Sequence, residues 1–177
     1  MVFAPTRLRP ADLLHVTDRF ADDALGGQYD HLLPAGGPPS TERWFTRLHG
    51  DEELDVWLIR WVPDRSTELH DHGGSLGALT VLSGALRETR WDGQALRTRW
   101  LNAGDQAAFP LGWVHDVVWA RESVAVTGTG VSDAPSTPTL SVHAYSPPLT
   151  AMSYYDLTER NTLRRKRTEL TDKPEGD

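Results

Sequence analysis

The chain has 177 residues, with 18 Lys+Arg against 25 Asp+Glu, a net charge of −7 when histidines are neutral. One domain is expected at this length, and 38% hydrophobic residues with seven tryptophans exclude wholesale disorder. An acidic chain without a dense basic stripe argues against a nucleic-acid partner. The lack of cysteine excludes disulfides, thiolate zinc sites and a cysteine nucleophile, so any metal falls to His, Asp or Glu.

Leu13, Leu14, Val16, Phe20, Ala24 and Leu25 recur at near-helical spacing between Pro10 and Gly26-Gly27, which predicts one helix over Ala11 to Leu25. A Gly/Pro loop follows from Pro34 to Ser40. Beyond it come short segments rich in β-branched, aromatic or alternating residues, at 44–48, 54–62, 67–72, 78–82, 85–91, 96–101, 106–109, 114–119, 124–127 and 140–145. Asp92-Gly93 marks a hairpin turn, and 128–139 reads as a second loop. About ten short strands at this spacing predict an all-β, antiparallel sandwich or small barrel. The expected division is an N-terminal helix and loop over 1–39, a barrel over 40–157 and a charged tail over 158–177. In that tail Arg164, Arg165, Lys166 and Arg167 sit among acidic residues, which reads as a solvated face or a frayed end. Met1 to Pro10 holds no apolar stretch of signal-peptide length, and no run approaches the ~18 residues of a membrane span, so a cytoplasmic protein is expected.

His70 and His72 lie two apart in a predicted strand, so both imidazoles point to one face and can grip one metal at ~2.1 Å. The alternative is a pair that is merely exposed or satisfied in the core. Gly104, Pro110, Gly112 and His115 form a G-x5-P-x-G-x2-H run. Together with His70-x-His72 and Gly84, that run resembles the two signature motifs of the cupin superfamily. The resemblance implies a small jelly-roll-like barrel in which His70, His72 and His115 bind one metal. The glutamate ligand of the general cupin pattern falls on Gly77. Three neutral ligands then leave three positions of an octahedral ion open, which suits Fe(II) taking both a substrate and dioxygen.

Leu69-His70-Asp71-His72-Gly73-Gly74-Ser75 and the run from Leu140 through Ser141, His143 and Tyr145 to Leu149 carry a more specific likeness. They resemble the thiol dioxygenases of the cysteine dioxygenase family, in its bacterial form, over about Glu42 to Tyr155. That resemblance implies an iron enzyme that oxidises a small carboxylate-bearing thiol, cysteine or 3-mercaptopropionate, to its sulfinic acid with O2, and it points to no obligate protein partner. Residues 141, 143 and 145 share one strand face, so Ser141 can hydrogen-bond His143 while His143 orients the Tyr145 hydroxyl. A polar ladder that only satisfies itself is the competing reading.

In the family an arginine on an early strand binds the substrate carboxylate. Arg47, in Phe45-Thr46-Arg47-Leu48, is the nearest match, and its fork suits a bidentate grip. Arg60 and Arg43 compete for that role, and an ion pair with Asp51, Glu52 or Glu53 is the other use for Arg47. Two features depart from the family. The crosslinking cysteine of mammalian-type enzymes also falls on Gly77, and the asparagine that closes the second cupin motif is Trp119, read as a core or rim aromatic. A metal-dependent cupin acting on a substrate without sulfur, and a non-catalytic ligand-binding cupin, remain the alternative functions.

Overall fold

The computed structural model describes residues 8–38, 41–63, 67–121 and 138–174. Helix α1 (Pro10–Leu25) starts at a proline whose missing N–H costs nothing in the first turn, and the Asp12 carboxylate accepts the Arg9 backbone N–H at 2.7 Å. Its buried residues, Leu13, Thr17, Phe20 and Ala21, form one stripe that lies on a sheet.

Eleven strands follow among the described residues: β1 (Trp44–Gly50), β2 (Asp55–Trp61), β3 (His70–Asp71), β4 (Leu76–Ser83), β5 (Ala85–Trp91), β6 (Leu96–Asn102), β7 (Gln106–Phe109), β8 (His115–Ala120), β9 (Thr139–Ser146), β10 (Ala151–Leu157) and β11 (Leu163–Leu170). They make two antiparallel sheets, in the orders β1-β2-β9-β4-β7 and β11-β10-β3-β8-β5-β6. The expected all-β, antiparallel architecture is present as two facing sheets.

The five-stranded sheet is buried on both faces, which is why β2 reads as the nearly unbroken apolar run Val56-Trp57-Leu58-Ile59. Trp57, Ile59 and Trp61 point into the space between the sheets, together with Leu79, Val81 and Tyr145. There they meet Leu86, Leu101, Val117, Met152 and Tyr154 of the other sheet. Val56, Leu58, Ala78, Val142 and Ala144 face the other way, onto Leu13 and Phe20 of α1. A polar chain pins the helix in place: Gln106 Nε2 donates to Thr80 Oγ1 at 2.8 Å, Thr80 to Thr17 at 2.9 Å, and Thr17 to the Leu14 carbonyl at 3.1 Å.

Strands and sequence segments coincide from β1 to β9, except that 67–72 contracts to the two-residue β3. The segment expected at 124–127 and most of the loop expected at 128–139 lie outside the described residues. β10 and β11 are additional. The stretch set apart as a charged tail supplies β11, which extends the six-stranded sheet through pairing with β10 from Leu157↔Leu163 to Ala151↔Leu170. Its charges are exposed, and Arg167 and Lys166 both bind Glu68 at 2.8 Å.

Candidate metal centre

β3 is held between β10, through Ser153↔Asp71 and Tyr154↔His70, and β8, through His70↔His115. The chain leaves it through a tight turn. Gly73 has φ +59°, and a Cβ there would stand 2.9 Å from the Ala151 carbonyl oxygen, so only glycine fits. Asp71 closes the turn by accepting the Gly73 N–H at 2.9 Å and is itself held by the Tyr155 hydroxyl at 2.6 Å. The run His-Asp-His-Gly-Gly-Ser thus presents His70 and His72 to one side while its aspartate anchors the turn.

Pairing of β3 with β8 brings His115 beside them. The ring centroids of His70, His72 and His115 lie 5.0–5.1 Å apart, and one ligand atom from each lies within 4.8 Å of the others. All three are buried. His70 Nδ1 lies 2.7 Å from the Glu68 carbonyl, which can only accept, so Nδ1 carries the hydrogen and Nε2 is the bare nitrogen. His115 Nδ1 likewise donates, at 3.1 Å, to the Glu88 carboxylate, and His115 Nε2 meets no hydrogen-bond partner among the described residues. Three buried imidazoles, each offering one nitrogen within 4.8 Å of the others, could hold a metal ion. No other group of three or more His, Asp or Glu among the described residues has this arrangement.

The opposite wall is built by β9. Ser141, His143 and Tyr145 are fully buried on the same face. The Tyr145 ring lies 5.0 Å from that of His72, and its hydroxyl is 3.3 Å from His143 Nδ1. Ser141 Oγ accepts a hydrogen bond from Trp61 Nε1 at 2.8 Å, and the Trp61 ring lies 5.9 Å from His143. The structure therefore brings Tyr145 and His143 together and gives Ser141 the indole of Trp61.

The three candidate arginines separate. Arg60 points to the outer face and donates to the Pro38 carbonyl at 3.2 Å. Arg43 donates to the Pro174 carbonyl at 3.1 Å and lies over Trp61. Arg47 pairs across the sheet with Trp57, and Trp57 with His143, so it shares the face of the β9 residues. It is exposed at the edge of that sheet, with its guanidinium 4.5 Å from the centre of the Trp57 ring. Asp51 is occupied by His49 at 2.9 Å and by the Glu53 and Leu54 amides.

A family model described as cysteine dioxygenase type I matches residues 40–158. The chain belongs to the cysteine dioxygenase type I family. Among solved structures it is similar to an uncharacterized conserved protein with a double-stranded beta-helix domain from Klebsiella pneumoniae subsp. pneumoniae. The two are 17% identical over 81% of this chain and 88% of that one, with a TM-score of 0.48. It is also similar to the cupin domain of Cnp3 from Schizosaccharomyces pombe, 8% identical over 64% of this chain and 67% of that one, with a TM-score of 0.47.

Gly77 stands where the sequence pattern put the absent carboxylate or crosslinking cysteine. It pairs with Tyr145 on one side and Phe109 on the other, and a Cβ at Gly77 would stand 2.8 Å from Phe109 Cδ2 and 3.4 Å from the Tyr145 ring. Aromatic rings fill the space where a carboxylate or cysteine side chain would project. An acidic side chain is nevertheless present beside the triad, contrary to the expectation of three histidines without one. Glu88 is buried on β5, and its two oxygens are taken by His115 and by Arg99 at 2.5 Å. Burial pushes its carboxyl pKa up, but the hydrogen bond and charge of His115, with the charge of Arg99, outweigh this and hold it below the usual value. Its only signal in the sequence is a charge two residues after Leu86, on the strand face that Leu86 turns to the core. Trp119, on the same strand as His115, packs half-buried against the inner cluster, as a rim aromatic should.

Proposed function

We propose that the chain is an Fe(II)-dependent thiol dioxygenase that converts a small carboxylate-bearing thiol, cysteine or 3-mercaptopropionate, to its sulfinic acid. The observation that carries the proposal is the buried His70, His72 and His115 triad facing a tyrosine, in a chain matched to the cysteine dioxygenase type I family. The reaction balances as R–SH + O2 → R–SO2H: sulfur loses four electrons, dioxygen gains them, and no other reductant is needed.

His70, His72 and His115 would hold the metal, with Glu88 and the Glu68 carbonyl fixing which nitrogen of His115 and His70 is bare. Bound ferrous iron supplies a centre that lowers the pKa of a coordinated thiol and admits dioxygen beside it. Tyr145 holds a proton at its hydroxyl, within reach of His143, and so presents a donor to the substrate or to the developing sulfinate. Arg47 takes the substrate carboxylate from the sheet edge. Phe109, whose ring lies 4.1 Å from His115, helps keep water from the reacting atoms. A cytoplasmic setting belongs to the same proposal, and no helix among the described residues is long and apolar enough to cross a membrane.

The test is oxygen consumption by the iron-loaded protein with cysteine, 3-mercaptopropionate, cysteamine and mercaptosuccinate, scored by sulfinate formed. His115→Ala should abolish iron retention and activity together. Tyr145→Phe should keep the iron and slow turnover by roughly 10²-fold or more. Absence of oxygen uptake with every thiol, or a His115→Ala protein with full iron content, would overturn the proposal.

A further inference from the structure

Two neighbouring cations on β11 reach one carboxylate, although successive side chains of a regular strand point to opposite faces. Lys166 Nζ donates to Glu68 at 2.8 Å, and Arg167 grips the same carboxylate with both terminal nitrogens, at 2.8 and 3.1 Å. A bulge makes this possible. Tyr154 pairs with Arg167 and Tyr155 with Arg165, so Lys166 is the extra residue of the bulge and can turn to the side of Arg167.

The residue they grip stands beside the metal centre. Glu68 lies two positions before His70, and its backbone carbonyl accepts the Nδ1 hydrogen of His70 at 2.7 Å, the bond that leaves Nε2 for an ion. β3 begins only at His70, so Glu68 stands outside the ladder, and its carboxylate is the point at which β11 holds it. Arg167 acts on His70 from a second side as well. It shares one register row with Tyr154, His70 and His115, and its guanidinium lies 4.0 Å from the centre of the Tyr154 ring. That ring is buried and tilted against His70, their centroids 6.2 Å apart. An exposed ion pair contributes little to stability, but a bidentate grip stacked on an aromatic ring fixes a direction.

We infer that Arg167 is a positioning residue for the metal centre, acting on His70 through the Glu68 carboxylate and the Tyr154 ring, with Lys166 in support. The inference rests on the reading of His70, His72 and His115 as metal ligands. The same strand also reaches the residue after His70. Tyr155 donates to Asp71 at 2.6 Å, and Arg165 donates to that tyrosine hydroxyl at 3.3 Å. The basic strand β11 thus holds the chain on both sides of the first ligand, and sets which way its ring faces.

The experiment measures iron(II) affinity under nitrogen by competition with a chelator and, in the metal-free protein, the imidazole nitrogen spectrum of His70 by NMR. Wild-type His70 should show the tautomer with its hydrogen on Nδ1. Arg167→Ala should weaken iron binding roughly 10-fold, the low end for outer partners of a metal ligand, and mix the His70 tautomers. Arg167→Lys, which keeps the charge and loses the fork, should fall between. Arg164→Ala removes a cation of the same strand that pairs with Asp156 instead, and should leave both readings unchanged. Wild-type affinity with an unchanged His70 spectrum in Arg167→Ala overturns the inference, even where the melting temperature falls, and the metal reading then stands. If the wild-type protein binds no iron, the metal reading fails and takes the inference with it. Should Arg167→Ala not fold, Glu68→Gln, which keeps the carbonyl and loses the anion, carries the same expectation.

Discussion

At Asp55, burial pushes the carboxyl pKa from the usual 3.8 up to about 6, against the opposing pull of the Trp57 indole, the Arg47 charge and the Leu149 amide. A carboxyl with a higher pKa in the folded state favours folding while it is protonated. Its contribution is full below about pH 4 and is lost as pH rises through about 6. Ionised Asp55 therefore opposes folding at neutral pH by about 3 kcal/mol relative to its protonated form. In the unliganded protein Asp55→Asn should raise the melting temperature at pH 7 to 8, and the gap should close towards pH 4; calorimetry across that range reads the effect directly. Glu88 is the converse case, a buried carboxylate held below its usual pKa by partners on both oxygens. Removing it frees the His115 ring to turn and leaves Arg99 without its partner. Glu88→Ala should weaken metal binding roughly 10- to 100-fold by chelator competition, with Glu88→Gln, which can still accept from Nδ1, in between.

β4 shows how tightly one element constrains the site. Gly77 lies between the Phe109 and Tyr145 rings, so Gly77→Ala places a methyl 2.8 Å from Phe109 and must displace one ring or the other. The expected cost is roughly 1–3 kcal/mol, measured by denaturant unfolding, together with slower turnover if it is Tyr145 that moves. The elements that sequence reading located are those whose burial writes a pattern. α1 shows its stripe, and most of β1 to β9 show apolar runs or alternation because at least one face meets the core; β6, exposed but for Leu101, is marked instead by the Asp92-Gly93 turn before it. β11 shows neither: Leu-Arg-Arg-Lys-Arg-Thr-Glu-Leu is exposed along most of its length and is held by backbone pairing and by ion pairs to Glu68 and Asp156. Nothing in its composition distinguishes an edge strand from a solvated tail. The same contrast holds within the site. His70, His72 and His115 were legible because their spacing is periodic and repeats a motif. Glu88 and Arg167 were not, because their meaning depends on which strands become neighbours: β5 beside β8, and β11 beside β10.

Across the whole molecule the two sheets divide the work. The six-stranded sheet carries His70 on β3, His72 just beyond it and His115 on β8, while the five-stranded sheet carries Arg47, His143 and Tyr145. On the proposed reading, the groups that would hold a metal stand on one wall, and Arg47, His143 and Tyr145 stand on the other. β3 is only two residues long, and its link to β8 is the single pair His70↔His115. An ion bound by all three histidines would tie that short strand to β8 more firmly than its backbone pairing does. Because the unfolded chain does not gather the three imidazoles, the metal binds the folded form alone and stabilises it by mass action. At a free concentration 100 times the dissociation constant this amounts to about 2.7 kcal/mol. For a chain of this length it should raise the melting temperature by roughly 5–10 °C. Iron(II) added under nitrogen should therefore produce that shift in the wild-type protein and in Tyr145→Phe, whose side chain lies on the other wall. The shift should vanish in His115→Ala. A His115→Ala protein that keeps it would mean that the ion is held elsewhere and that the division of labour between the sheets is wrong.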